Sequence, residues 1–173
     1  MNRTLKLLAL FGAAAAVGHV GLVLATPHVL MRAAMNKLGG PDKAVNAFLF
    51  GPRTTQNSRG VVRPSPDLAY STCVYDLSNG PVRISAAPSP EQGYVSLSVF
   101  AANTDNIAVF DTTRQPQGIV FVLARDGQKT PPGVTVVISP SDRGIVLDRR
   151  LAPNAERFAA ADAARRADRC APL

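Results

Sequence analysis

The chain has 173 residues, 46% of them hydrophobic, a formal net charge of +7, two cysteines and two histidines. That length holds one globular domain plus an N-terminal segment. Both histidines, His19 and His28, fall in or beside the first apolar stretch, so the remainder can build no Ser-His-Asp or Cys-His centre and no imidazole zinc site.

Leu7 to Met31 carries no charged side chain, and Arg3 and Lys6 precede it as a basic cap. About 20 apolar residues span a bilayer as a helix, and secretory apolar regions are usually shorter than this one. The reading is a retained signal anchor over residues 1–31. The alternative is a cleaved leader, because Val23-Leu24-Ala25 has the small-residue pattern of a cleavage site. Arg32, Lys37 and Lys43 follow the span, so the positive-inside count does not orient it. A short basic tail before an apolar span nevertheless resembles an export leader. We therefore expect a single pass through the inner membrane with a periplasmic domain, or a secreted form after cleavage.

Residues 32–60 read as a helical linker and loop. Met31, Met35 and Leu38 continue the helix to a stop at Gly39-Gly40. Asp42 to Phe50 reads as a second helical piece with Val45, Phe48 and Leu49 on one side, and Gly51 to Gly60 as a polar loop.

From Val61 the pattern turns to period two, giving a β-rich domain over 61–173. Leu68–Leu77, Val82–Ala86, Val95–Val99, Ile107–Val109, Ile119–Leu123, Val134–Ile138 and Ile145–Leu147 read as strands separated by Pro, Gly, Asn and Asp clusters. Asp126-Gly127 is a hairpin signal. The fold class is mainly β: an antiparallel sandwich or barrel of seven to eight short strands, closed by a helix from about Pro153 to Arg169 with Asp162 and Arg166 as an i, i+4 pair. The remaining 17 basic and 12 acidic residues read mostly as a solvated face in turns and on that helix. No basic run is interleaved with aromatics, which excludes a nucleic-acid partner.

Cys73 lies in the central strand and Cys170 near the C-terminus. In an exported chain an even count allows a disulfide; otherwise both are small buried hydrophobes. There is no paired-cysteine metal motif and no Gly-rich phosphate loop, so neither metal nor cofactor is expected. Asn103-Thr104-Asp105-Asn106 is the densest polar cluster, but its spacing fits no calcium loop and suits a turn. Asp67 and Asp76 fall on opposite faces of one strand, as do Tyr70 and Tyr75.

The stretch Arg63-Pro64-Ser65-Pro66-Asp67-Leu68-Ala69-Tyr70-Ser71, followed by Asp76-Leu77-Ser78-Asn79-Gly80-Pro81-Val82, resembles the core motif of the bacterial domain-of-unknown-function family 1254, Pro-Asn-x-Asp-Thr-x-Tyr-Ser then Asp-Leu-Ser-x-Gly-Pro-Val. Tyr94-Val95-Ser96-Leu97, Asn103 to Asn106 and Gly118-Ile119-Val120-Phe121 resemble later segments of that family in the same order. Ser65 stands where the family has Asn, and Leu68 where it has Thr. The resemblance implies a mostly-β domain that is typically joined to a family 1214 half. It therefore implies a companion of that kind, here supplied separately.

Two functions follow as expectations. One is an anchored binding or assembly module that docks a companion β-domain. The other is a periplasmic small-ligand-binding protein or enzyme with a site at the proline-stiffened corner: Arg63, Asp67 and Tyr70, with Asn103 and Asp105 near them. No catalytic residue is assigned.

Overall fold

The computed structural model describes residues 2–39, 44–59, 63–90 and 93–173. Gly40, Asp42 at the start of the expected second helical piece, Val61 and the turn residues Glu91 and Gln92 lie outside these.

Helix α1, Arg3–Leu38, is one unbroken element. Asn2 caps it by accepting from the Thr4 amide at 3.4 Å, and the Gly39 N–H closes it on Met35 O. Pro27 sits inside it without breaking it. Beside that proline, Thr26 Oγ1 donates to Leu22 O at 2.6 Å and His28 Nδ1 lies 3.2 Å from Leu24 O, so side chains bond the helix's own carbonyls where the proline interrupts the ladder. From Leu5 to Leu30 its large apolar side chains are uncovered. Only its last turns touch the domain: Met31, Ala34, Met35 and Leu38 pack on Val74, Ile145 and Phe100.

The domain is a sandwich of two sheets that do not close into a barrel. The first has strand order β1-β2-β8-β4-β5 and is antiparallel throughout: β1 Phe48–Phe50, β2 Leu68–Asp76, β8 Arg143–Leu151, β4 Val95–Ala101 and β5 Asn106–Asp111. The second has order β7-β6-β3-β9: β7 Val136–Ile138, β6 Ile119–Ala124, β3 Val82–Ala86 and β9 Arg169–Pro172. Alternation along each strand sends Cys73, Tyr75, Leu97, Val146, Ile84 and Phe121 into the space between the sheets. Phe110 stacks on Phe121 with ring centroids 4.6 Å apart, and each fully buried large side chain there contributes about 1.5–3 kcal/mol.

Four sequence readings change. The stretch expected to be helical up to Phe50 ends in strand β1, because pairing with the edge of β2 sets Phe48 opposite Cys73 and into the core; apolar spacing over so few residues fits either state. The closing helix α2 is Ala155–Arg165, shorter than expected, and the tail becomes β9, held to β3 by the register Ile84↔Cys170. Asp126-Gly127 makes a turn but no hairpin, since β6 and β7 run parallel. The described residues therefore hold nine strands rather than seven or eight.

Candidate functional site

The proline corner is fixed by its own backbone. The Ser65 amide donates to the Tyr70 hydroxyl at 2.8 Å, and the Leu68 amide reaches Ser65 O at 3.4 Å. Asp67 contributes its carbonyl, which accepts from the Ala152 amide at 2.7 Å. Arg63 and Asp67 are exposed and form no ion pair with each other. Tyr70 is half-buried and opposite Arg149 in the ladder.

Tyr70 braces the corner through Ser65, Arg63 and Asp67 stand exposed on it without a bond to each other, and Asn103 and Asp105 lie apart from it. Tyr70 shares a rung with Arg149 and Ser96, whereas Ala101, just before the Asn103 turn, shares one with Gly144 and Tyr75. Five residues of strand rise divide these rungs, about 17 Å. Asn103 Nδ2 donates to Asp105 Oδ2 at 2.6 Å, and Asn103 Oδ1 accepts from the Asp105 amide at 3.2 Å. With Thr104 at φ 71° between them, these side chains build the β4–β5 turn. Among the described residues no cluster has the makings of a metal site.

Beneath the corner lies charge that the sequence reading placed on the surface. Arg150 and Arg165 are buried. Strand parity sends Asp148 and Arg150 inward beside Ser71 and Ala69. Arg150 Nη2 donates to both carboxylate oxygens of Asp168, at 2.8 and 2.7 Å, and its Nε donates to Asp148 Oδ2 at 3.2 Å. Asp148 Oδ2 also accepts from Ser71 Oγ at 2.9 Å, and Asp168 Oδ1 from the Ala87 amide at 2.8 Å. Arg150 thus ties β8 of one sheet to the end of β3 and the start of β9 in the other. Asp148 Oδ1 and Arg150 Nη1 have no partner. Burial pushes both carboxyls up, Asp168 to about 6 even with Arg150 bonded to it.

Arg165 makes the second tie. Its Nη1 donates to Tyr70 O at 2.7 Å and its Nη2 to Gly51 O at 2.6 Å, while Nε donates to Asp162 Oδ1 at 2.8 Å. Its guanidinium lies between Phe50 and Phe158, 5.6 and 5.4 Å from the ring centroids. The expected Asp162–Arg166 pair is present at 2.9 Å, and partial burial raises the Asp162 carboxyl less than its bonds to Arg165 and Arg166 lower it.

Cys73 and Cys170 are bonded, joining β2 to β9 across 97 positions. Tyr75 has a buried ring and a bonded hydroxyl, which donates to Phe100 O at 3.1 Å and lies 3.0 Å from Ser139 Oγ; burial holds its proton on well above the ordinary tyrosine range. Asp76 caps the β2–β3 turn: its Oδ1 accepts from Ser78 Oγ at 2.6 Å and from the Ser78 amide at 2.9 Å, and those bonds keep the carboxyl low. Two open hollows of about 420 and 330 Å³ flank Tyr94, sharing Ser89 and Gly93.

The charged groups that are buried are thus bonded into the joints between elements, and the exposed corner is a braced turn. Parity was the signal that could have found Arg150: Val146, Asp148 and Arg150 continue the inward face of β8 beyond Leu147, where the sequence reading ends that strand. Nothing in the helical pattern of α2 separates buried Arg165 from exposed Arg166.

None of the curated proteins matches this chain. Among solved structures it is similar to the VPA0106 protein from Vibrio parahaemolyticus, with a TM-score of 0.62 and 20% identity, over 88% of this chain and 38% of that one. It is also similar to an uncharacterized protein from Burkholderia cenocepacia, with a TM-score of 0.46 and 16% identity, over 80% of this chain and 38% of that one. The chain thus spans 38% of the length of each. The first likeness carries the fold. The family described as Protein of unknown function (DUF1254) matches residues 45–172, and the chain belongs to that family.

Proposed function

We propose that this protein is a membrane-anchored module of the cell envelope whose domain, on the periplasmic side, docks a companion β-domain. The observation that carries the reading is the division of α1. Its charge-free stretch of 25 residues, uncovered up to Leu30, exceeds the roughly 30 Å of a bilayer's apolar core at about 1.5 Å per residue. Its final turns, by contrast, grip the first sheet. The same helix serves as span and as strut. The disulfide supports an oxidising compartment, and its bonded partners lie on the domain side of the helix.

The docking part draws support from the buried charges being committed to internal joints, which leaves the exposed surface for a partner. The test is crosslinking in intact cells of a C-terminally tagged full chain. A family 1214-type protein in the crosslinked species is the expected result. A chain that crosslinks only to itself, or to nothing, overturns the docking part.

A further inference from the structure

The sandwich has four sheet edges, and three are blunted. Strand β1 has three residues and lies under Arg166, whose guanidinium is 4.7 Å from the Phe50 ring centroid. Strand β7 has three residues, and β9 has four, including Arg169 and Pro172. Edge strands escape unwanted pairing through such shortness, charge and proline. Strand β5 has six residues, Asn106-Ile107-Ala108-Val109-Phe110-Asp111, with no proline, lysine or arginine. Its one irregularity is a register shift opposite Val99/Phe100, which leaves Ala108 to Asp111 regular.

The direction of its free groups follows from the ladder. The Thr112 amide donates to Val95 O at 3.0 Å. In an antiparallel pair, backbone groups alternate between the partner and the far side. Thr112, Phe110 and Ala108 therefore bond β4, while Val109 directs its N–H and C=O, and Asp111 its N–H, to the open edge; the Asp111 carbonyl accepts from the Arg114 and Gln115 amides at 3.3 and 3.1 Å. Val109 is 53% exposed.

We infer that β5 is the docking edge, and that its occupant is an extended strand of the companion domain, apolar at its centre and basic at its ends. This rests on the companion reading above. The apolar centre follows from Val109. The basic ends follow from the carboxylates of Asp105 and Asp111, which bracket the edge; Arg114, just beyond Asp111, is the nearest cation along the chain. A second copy of this chain is a poor occupant. Antiparallel β5–β5 pairing sets a two-fold axis along the sheet normal. Helix α1 lies across the outer face through Met31, Ala34, Met35 and Leu38, so the two spans would leave in opposite directions and could not share one bilayer.

The experiment follows amide hydrogen exchange of the full chain in detergent micelles, alone and with a purified family 1214-type domain from the same genome. In parallel it uses a strand peptide of alternating Val and Thr ending in Lys, and the same peptide ending in Glu. The expected result is at least tenfold slower exchange at Val109 and Asp111 with the domain and with the Lys peptide, and none with the Glu peptide. Val109→Pro should abolish the effect, since the Val109 N–H bonds nothing in the domain; Val109→Lys is the second variant if the proline variant misfolds. Binding of the domain with unchanged exchange at Val109 and Asp111 overturns the edge and leaves the companion reading standing. Protection by the Lys peptide without binding of the domain overturns that reading and leaves the edge. Equal protection by both peptides overturns the charge assignment, and protection by neither peptide nor domain overturns the inference.

Discussion

Arg165 Nη1 donates to the carbonyl of Tyr70, 95 positions earlier in the chain, at 2.7 Å. The bond joins α2 to the first rungs of β2, and Nη2 of the same guanidinium holds Gly51 O beyond the end of β1. Removing the side chain leaves Gly51 O and Asp162 short of a donor. Arg165→Met should cost about 3–5 kcal/mol, the range for breaking a buried charged contact from one side. Arg166→Met, whose side chain is exposed, should cost less than about 1 kcal/mol. Urea unfolding of the pair measures the difference, and equal losses would mean that Arg165 is no brace.

Gly144 lies where β8 passes Tyr75. A Cβ there would meet the Phe100 carbonyl and the Tyr75 hydroxyl, neither of which can retreat without breaking their mutual bond. Gly144→Ala should cost about 3 kcal/mol, at the upper end for overpacking. Tyr75→Phe, which removes only the hydroxyl, should cost about 1–1.5 kcal/mol. Thermal unfolding of both variants orders the two, and the reverse order would contradict the geometry.

The Cys73–Cys170 bond closes a loop spanning 97 positions. In the chain-entropy account a loop of that size contributes about 4–5 kcal/mol. The double variant Cys73→Ser, Cys170→Ser should lose that much in urea unfolding, and β9 amides should exchange before those of β2. A loss below about 1 kcal/mol would show β9 to be held by its ladder and by Asp168 alone.

Asp168 faces Arg150, Asp148 and the Ala87 amide. Its carboxyl sits near 6 in the fold, against 3.8 for a free one. The fold therefore binds this proton more tightly than the unfolded chain does. The stability it contributes is full below about pH 4 and is lost as pH rises through 6. Asp148, also raised by burial, acts in the same sense. Urea unfolding between pH 4 and 7 should show stability falling with pH, and Asp168→Asn should flatten that slope. An unchanged slope in the variant would contradict the assignment.

The elements with long patterns were legible in the sequence: α1 as one apolar helix, β2, β3, β4 and β5 by alternation, and β6 as a continuous apolar run. The cysteine pair was legible only as one of two options. Strand β1 was not, because Phe48 and Leu49 fit a helical spacing until β2 offers an edge to pair with. Strand β9 was not, because the helical run of α2 reads on to Arg169, whereas the ladder with β3, the disulfide and Arg150 hold this segment in the second sheet. Of the corner site, Arg63, Asp67 and Tyr70 are neighbours in the chain, and Tyr70 alone braces the corner, through Ser65. Asn103 and Asp105 were misplaced because nothing local reports which end of a sheet a turn occupies. The buried arginines escaped notice because charge in a sequence suggests solvent, whereas here Asp148, Asp162 and Asp168 receive it inside.

The central claim is that α1 is both the membrane span and a strut of the domain. Its most direct test is the intact mass of a C-terminally tagged chain recovered from alkali-washed membranes. The account predicts a membrane-retained species that still carries residues 1–25, two mass units below its reduced form. A soluble species beginning after Ala25 would contradict the anchor.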